Sequence, residues 1–175
     1  MSAWPDVLRA DVFAAAVLTA GERESLDAWL NFHRGTLLHK CAGLRSDQLV
    51  LRSCPPSRLS LLGLVRHMTG VEGWFHAFDG QPEQAGYWTP EAPDASFEAL
   101  DPAAADADLA AYHDSVERAR RAVAALDLDT MCPCPECKDE SRSLRWVYAH
   151  MIEEYARHNG HADLIRETID GAVGD

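Results

Sequence analysis

Apolar residues recur every three or four positions along four long stretches of the chain. This spacing places the apolar residues on one face of an α-helix. The four stretches are residues 22–44, 61–75, 105–126 and 143–169. The chain shows neither the strict alternation of half-buried strands nor an internal repeat. Four helices with one apolar face each bury those faces against one another, so we predict an all-α four-helix bundle.

Residues that favour the ends of helices flank these stretches. Ser57 or Ser60 precedes the second stretch and Ser143 precedes the last, and serine hydroxyls commonly cap helix N-termini. Gly43 and Gly171 lie where the first and last stretches end, in keeping with the glycine that often terminates a helix. These signals support helices close to the four stretches.

The segment between the second and third stretches predicts one long crossover connection. Residues 80–104 are rich in Pro, Gly, Asp and Ala and carry few periodic apolar positions. We expect Trp88 and Phe97 to pack this connection onto the bundle. We also predict a short helix at residues 5–18, which would flank the bundle.

The composition indicates one acidic domain that acts on small molecules. With 175 residues, of which 47% are apolar, the chain can bury a full core, so we expect residues 1–175 to form a single domain. The net charge is −12, whereas nucleic acids and anionic membranes require clustered Lys and Arg. We therefore expect small-molecule partners, no nucleic acid and no membrane, and we allow for a homodimer.

The N-terminal segment and the cysteines favour a cytoplasmic protein with reduced thiols. The N-terminal segment has acidic residues before and inside its short apolar run, which is unlike a secretory signal. Five cysteines, an odd number, fit reduced thiols better than a disulfide framework. Three of them, Cys132, Cys134 and Cys137, share the stretch "CPCPECK". A structural zinc there needs a fourth ligand from elsewhere, so we favour a reduced, exposed loop that is prone to oxidation.

The last stretch contains a polar row on an otherwise apolar helix face. The row consists of His150, Glu154, His158 and His161. At 3.6 residues per turn these four positions lie within about 80° of one another. Val147 and Ile165 continue the same row at its two ends, which is unusual for a face in contact with solvent. The row is therefore typical of a chemical site set into a buried face.

His67, on the second predicted helix, is the partner we expect for this row. Gly63 and Gly70 lie about one turn before and after it. Glycine inside a helix costs about 0.5–1 kcal/mol relative to alanine, and room beside an imidazole would explain that cost. Imidazole and carboxylate together suit zinc, nickel, iron or manganese, and three protein ligands with an open position are typical of a catalytic metal site.

The alternative to a metal site is a purely structural role, with packed histidines in the row and Glu154 paired with Arg157 or Arg145. Four titratable groups in one row favour the metal site over it. His33, His113 and Cys41 also lie on apolar faces, and we expect them to be packing residues. Three basic side chains have two interpretations, as contacts for an anionic substrate or as structural groups: Arg34, Lys40 and Arg66.

Three segments together carry a resemblance to a known family. They read "HRGTLLHKCAGL", "SLLGLVRHMTGVEGWF" and "SLRWVYAHMIEEYARHNGHADLIRETIDG". The chain resembles the DinB superfamily over residues 22–172, and specifically its branch of small mycothiol-dependent transferases. The last segment is the most specific part of this resemblance.

The resemblance implies a four-helix bundle that binds a divalent metal. In that superfamily one histidine on the second helix and a pair spaced i, i+4 on the last helix hold the metal. Many members have His-x-x-x-His in the pair, whereas mycothiol-dependent maleylpyruvate isomerases have Glu-x-x-x-His. The matching positions here are His67, Glu154 and His158, with His161 expected to orient a ligand or a substrate. The residues by themselves leave open whether His150 or His161 joins or replaces these ligands.

The function implied is metal-dependent transfer of a low-molecular-weight thiol, mycothiol by resemblance, to a small electrophile. We expect zinc as the metal, with nickel, iron or manganese as alternatives, because a cation with an open position delivers a bound thiol as thiolate. Trp74, Phe75 and Tyr155 are expected to shape the pocket. The alternatives are a metal-dependent hydrolase and a non-catalytic metal-binding or stress-response bundle.

Overall fold

The computed structural model describes residues 18–80, 87–89, 91–133 and 141–173, and most of them are helical. The long helices are α1 (Glu22–Cys41), α3 (Leu61–Val71), α5 (Ala105–Val123) and α6 (Leu144–Asp170). Shorter elements are α2 (Ser46–Leu49), α4 (Gly73–His76), two 3₁₀ turns (Ala95–Phe97 and Pro102–Ala104) and two strands, β1 (Met131–Pro133) and β2 (Ser141–Ser143). This architecture confirms the predicted all-α bundle.

Serine caps position the two helices that carry the polar row and His67. The Ser60 hydroxyl accepts a hydrogen bond from the Gly63 amide at 3.2 Å, so Ser60 and not Ser57 starts α3. The Ser143 hydroxyl accepts from the Trp146 amide at 3.2 Å and starts α6. At the other end of α6, Gly171 has φ +79°, a left-handed conformation that favours glycine and ends the helix as predicted.

The helices pair across a shared core. α1 packs most extensively on α6, and α3 packs on α5, while α3 also contacts α6. The largest fully buried side chains include Leu37 of α1, Met68 of α3, Tyr112 of α5 and Met151 of α6. The polar row and His67 therefore lie on two helices that face each other.

A buried polar network joins all four long helices. Arg34 of α1 donates from Nε and Nη2 to the two carboxylate oxygens of Glu72 at 2.8 and 2.5 Å. The Tyr155 hydroxyl of α6 donates to Glu72 at 2.6 Å and lies 2.9 Å from the Tyr112 hydroxyl of α5. Glu72 directly follows α3 and is fully buried. Glu72 lies within the second apolar stretch, 61–75, and the sequence pattern gave no sign of this network.

The second helix is shorter than its apolar pattern predicts. The pattern continues to Phe75, but α3 ends at Val71 and the chain starts a new turn, α4, at Gly73. The interruption lies at Glu72, whose carboxylate is directed to Arg34. The first and third stretches are likewise shorter by three residues each, ending at Cys41 and Val123.

A short hairpin precedes α6, which the sequence analysis did not predict. β1 and β2 pair antiparallel, with Cys132 opposite Arg142. Each strand has three residues, too few for alternation to be recognised. Cys132 is buried, which raises the pKa of its thiol, so the prediction of an exposed loop is wrong at this position. Cys134, Cys137 and residues 5–17 of the predicted flanking helix lie outside the described residues.

The three described cysteines, Cys41, Cys54 and Cys132, are free thiols. Cys41 is completely buried, as expected of a packing residue, and burial raises the pKa of its thiol to about 12. Within the described part of the chain, no helix is long and apolar enough to cross a membrane.

Candidate metal centre

Three of the predicted site residues converge between α3 and α6. Each of His67, Glu154 and His158 offers one ligand atom, and the three atoms lie within 4.8 Å of one another. His158 Nε2 is 3.5 Å from a Glu154 carboxylate oxygen, and the rings of His67 and His158 are 4.7 Å apart. Residues 87 to 91 positions apart in the chain are thus brought within reach of one cation.

The site is largely shielded from solvent. The side chains of Glu154 and His158 are 17% and 12% exposed, and His67 is half-buried. Burial lowers the pKa of His67. Burial, together with His67, His161 and Arg157, lowers the pKa of His158 to about 3. Both imidazoles are therefore neutral at neutral pH, which is the form that binds a metal.

His161 contacts the site through His158. The two Nδ1 atoms are 3.4 Å apart and the rings 5.4 Å apart. Nε2 of His158 faces Glu154 and its Nδ1 faces His161, so with Nε2 as a metal ligand Nδ1 would carry the proton of the neutral ring and donate a hydrogen bond to His161. This geometry fits the predicted positioning role of His161 and places it outside the converging trio.

The glycine argument made from the sequence needs correction at Gly63. A Cβ atom at this position would lie 2.9 Å from Cδ1 of Phe97, so Gly63 makes room for that phenylalanine and not directly for the imidazole. The Phe97 ring in turn packs on His67, with centroids 5.3 Å apart. Phe97 therefore fastens the crossover connection to α3, as predicted, and also forms one wall of the site. Trp88 is half-buried.

The aromatic residues expected around the pocket divide into two groups. Trp74 packs against His150, with ring centroids 4.9 Å apart, and borders the polar row. Phe75 packs on Tyr148, and the Tyr155 hydroxyl bonds to Glu72, so both rings lie in the core, and their part in shaping a pocket stays a prediction. On α6, Tyr155 is rotated by about 100° from Glu154 and faces inwards.

The structural alternative for Glu154, an ion pair with Arg157 or Arg145, finds only weak support. Arg157 is 3.8 Å from Glu154 and makes its closer pair with the exposed Glu153. Arg145 pairs instead with Glu22 and Asp129. Glu154 also belongs to a second group of converging ligand atoms, with His150 and Glu153, again within 4.8 Å. His150 thus adjoins the site through Glu154.

The three basic side chains left open by the sequence have structural roles. Arg34 binds Glu72, and Lys40 lies 2.7 Å from Asp163. Arg66 donates to the carbonyl oxygens of Glu98 and Ala95 and lies over the ring of Tyr87.

The two histidines expected to be packing residues differ in burial. His113 is exposed, which corrects its assignment as a packing residue, whereas His33 is half-buried.

An open cleft of about 590 Å³ lies elsewhere, between α1, α5 and the start of α6. Its polar lining includes Arg23, Asn31, Arg120 and Tyr148. No residue of the polar row is among its described lining residues. The converging trio therefore lies outside this cleft, on the face between α3 and α6.

The donor set suits a divalent cation of intermediate hardness. Two imidazole nitrogens and one carboxylate oxygen are ligands that zinc and its first-row neighbours accept in proteins. The carboxylate supplies the negative charge, and burial keeps both imidazoles unprotonated. Three converging donors leave coordination positions for an external ligand.

Comparison with known families identifies the chain. The model of the family described as mycothiol-S-transferase matches residues 25–171, well over half of the sequence. The chain belongs to the mycothiol S-transferase family. The resemblance seen in the sequence is thereby confirmed, and the protein is a transferase with a small thiol as partner. No curated protein and no solved structure matched the chain.

The family assignment decides between the functions that the sequence had left open. A transferase is favoured over the non-catalytic bundle, because the match covers α3 and α6 together with every residue of the polar row. A small-molecule thiol is the partner that the family implies.

Proposed function

We propose that this mycothiol S-transferase works with a divalent cation held by His67, Glu154 and His158. The observation that carries the proposal is the convergence of their ligand atoms within 4.8 Å, on two helices that the family match also covers. The neutral state of both imidazoles and the shielded carboxylate support it. The single bundle domain, residues 1–175, would then carry the whole site.

The cation, when bound, would lower the pKa of the mycothiol thiol so that sulfur reacts as thiolate. The chain's residues provide the setting for that chemistry. Glu154 offsets positive charge in the site, and the Phe97 ring limits water on the His67 side. The thiol releases its proton to solvent, its sulfur forms a bond to the electrophilic carbon of a small second substrate, and the leaving group on that carbon departs with the electron pair of the broken bond.

His161 is assigned a positioning role in this proposal. By accepting a hydrogen bond from Nδ1 of His158, it would hold that ring with Nε2 directed into the site.

Zinc is the metal we propose, with nickel, iron and manganese as the other cations that the donor set accepts. We also propose a cytoplasmic setting, in keeping with free thiols at Cys41, Cys54 and Cys132. A homodimer remains part of the proposal, to be checked by sedimentation.

The test compares three substitutions at Glu154 and its neighbour. Glu154→Gln is expected to reduce bound metal strongly and to abolish conjugation of mycothiol to a bimane, because it removes the charged ligand. Glu154→His is expected to keep metal, since His-x-x-x-His can still reach it, but with lower activity. Metal content by mass spectrometry and conjugation rate with and without chelator are the measurements.

Glu153→Gln is the control that separates the trio from the second group of converging ligand atoms, because Glu153 belongs only to the second group and is exposed and paired with Arg157. It should keep wild-type metal content and rate. His67→Ala and His158→Ala should each lose metal and stay helical. Wild-type metal content in Glu154→Gln and His158→Ala would contradict the assignment. It would show that any bound metal lies elsewhere in the protein.

A further inference from the structure

A cluster of three aromatic rings lies beside the candidate metal centre. Trp146 and His150 stack with centroids 5.0 Å apart and planes 20° apart. Trp74 packs edge-on against His150 at 4.9 Å and lies 5.6 Å from Trp146. We call these three residues the aromatic cluster. It joins α4, which follows the helix of His67, to the first turns of α6.

The aromatic cluster is continuous with the centre through His150. A ring nitrogen of His150 lies within 4.8 Å of a Glu154 carboxylate oxygen. His150 is one helical turn before Glu154, and Trp146 is one turn before His150, so the cluster extends about 6 to 12 Å from Glu154 along the helix axis. A ligand held at the centre by one end can therefore reach the cluster with its other end.

The cluster is partly open to solvent. Trp146 is 42% exposed, and Trp74 and His150 are half-buried. The Arg142 guanidinium carbon lies over the Trp146 ring, 5.0 Å from its centroid, and places hydrogen-bond donors beside the exposed part of the indole. An indole with an accessible surface, bordered by donors, suits a ligand that has both apolar C–H faces and hydroxyl groups.

The thiol named by the family has such a part. Mycothiol carries its N-acetylcysteine on a glucosaminyl-inositol unit, two saturated rings with C–H faces and many hydroxyls. A cysteinyl amide separates the sulfur from the first ring, a span similar to one helical turn of about 5.4 Å. With the sulfur at the centre, the first ring falls near His150 and the second near Trp146.

We propose that the aromatic cluster is the binding platform for the glucosaminyl-inositol unit of mycothiol, with Trp146 as its main contact. This inference rests on the proposed function, since it places the sulfur at the trio of His67, Glu154 and His158. The platform supplies binding and orientation through stacking, and the transfer chemistry stays with the sulfur. Trp146 is thus a specificity-determining residue for the thiol substrate.

The test uses Trp146→Leu with two thiols, mycothiol and N-acetylcysteine, the second of which lacks the sugars. We expect KM for mycothiol to rise about tenfold or more, as loss of one aromatic stack predicts, with kcat little changed. The rate with N-acetylcysteine should stay at the wild-type value. Equal losses with both thiols, or an unchanged KM for mycothiol, would overturn the platform.

The matched control is Trp29→Leu. Trp29 is 41% exposed and stacks on His33, also four residues further along its helix, so it reproduces the local geometry on α1. It should leave both thiols unaffected. Circular dichroism and metal content verify that the variants fold, and Trp146→Phe, which keeps a smaller ring, should have an intermediate KM.

Binding of free glucosaminyl-inositol, followed by calorimetry, separates this inference from the proposed function. Wild-type protein should bind it, Trp146→Leu should bind it at least about tenfold more weakly, and Glu154→Gln should bind it as wild type does. Failure of metal binding or transfer with this pattern intact would refute only the proposed function. No binding to the wild-type protein would refute the platform.

Discussion

At the scale of the residue, Gly63 shows how a missing side chain shapes the site. Gly63 lies one turn before His67, and because it has no side chain the Phe97 ring fits against it. That ring packs on the His67 imidazole. A methyl group there would also lie 3.1 Å from the Ser60 hydroxyl that caps α3. The glycine therefore serves packing and capping on one side of the candidate metal centre.

We expect Gly63→Ala to lower the free energy of unfolding by about 1–2 kcal/mol, because overpacking in a closed space outweighs the better helix propensity of alanine. Displacement of Phe97 should also weaken metal binding. Urea unfolding and a metal competition titration measure the two effects. Introducing Phe97→Ala together with Gly63→Ala should remove most of the clash, so that the two changes are not additive.

Gly160 of α6 provides the control, since nothing lies within 4 Å of a Cβ atom added there. Gly160→Ala should raise the free energy of unfolding by about 0.5–1 kcal/mol through helix propensity alone. If Gly63→Ala stabilises the protein by the same amount, the packing explanation for Gly63 is wrong.

At the scale of the element, the buried network sets how the helices face one another. Arg34 of α1 and Tyr155 of α6 both bond to Glu72 at the end of α3. Burial opposes the charge on Arg34, but Glu72 overcomes this effect and raises the pKa of the guanidinium. Because Tyr155 faces inwards, its neighbour Glu154 faces α3, so the network fixes the rotation of α6 that the candidate site requires.

Arg34→Met should destabilise the protein by about 3–5 kcal/mol, because it leaves the Glu72 carboxylate buried without its counter-ion. The measurement is the midpoint of urea unfolding at neutral pH. Arg34→Met combined with Glu72→Met should recover most of that loss, since two apolar side chains can replace a buried ion pair. A loss below about 1 kcal/mol for the single variant would show that water or a rearrangement compensates Glu72.

At the scale of the whole molecule, folding keeps several histidines neutral. Burial lowers the pKa of His33, His67 and His76. His76 is distant in sequence from the polar row, and its Nε2 lies 2.9 Å from the Ser115 carbonyl oxygen. Arg118, Glu72 and Asp79 act on it with opposing signs, and burial is the largest effect.

We expect His76 to make the protein less stable as the pH falls. Its pKa in the folded protein is below the unfolded value of about 6.5, so below that pH the unfolded chain binds a proton that the folded protein does not. The free energy of unfolding should fall with decreasing pH by at most about 1.4 kcal/mol per pH unit from this group. His76→Gln should show a shallower fall between pH 6.5 and 5, measured by urea unfolding in chelator.

His113→Gln is the comparison for this pH series, because it removes an exposed histidine from α5. The fall of its unfolding free energy between pH 6.5 and 5 should be steeper than that of His76→Gln, because His113→Gln keeps His76. An unchanged pH dependence in His76→Gln would mean that His76 does not remain neutral in the folded protein.

The sequence alone was sufficient for the bundle and for the polar row, because both depend on the geometry of single helices. Periodicity identified α1, α3, α5 and α6, and the caps Ser143 and Gly171 lie where they were predicted. The spacing of His150, Glu154, His158 and His161 is likewise local. His67 as their partner came from residue type and resemblance, and its role as a ligand stays a prediction.

Contacts between helices were decided only in the tertiary structure. Three contacts join residues far apart in the chain. They are the ion pair of Arg34 with Glu72, the packing of Phe97 against Gly63 and the hydrogen bond of the inward-facing Tyr155 to Glu72. Such contacts depend on the rotation and axial offset of one helix against another, which no single-helix pattern encodes. Packing sets those two quantities, because interiors fill space and buried polar groups need partners.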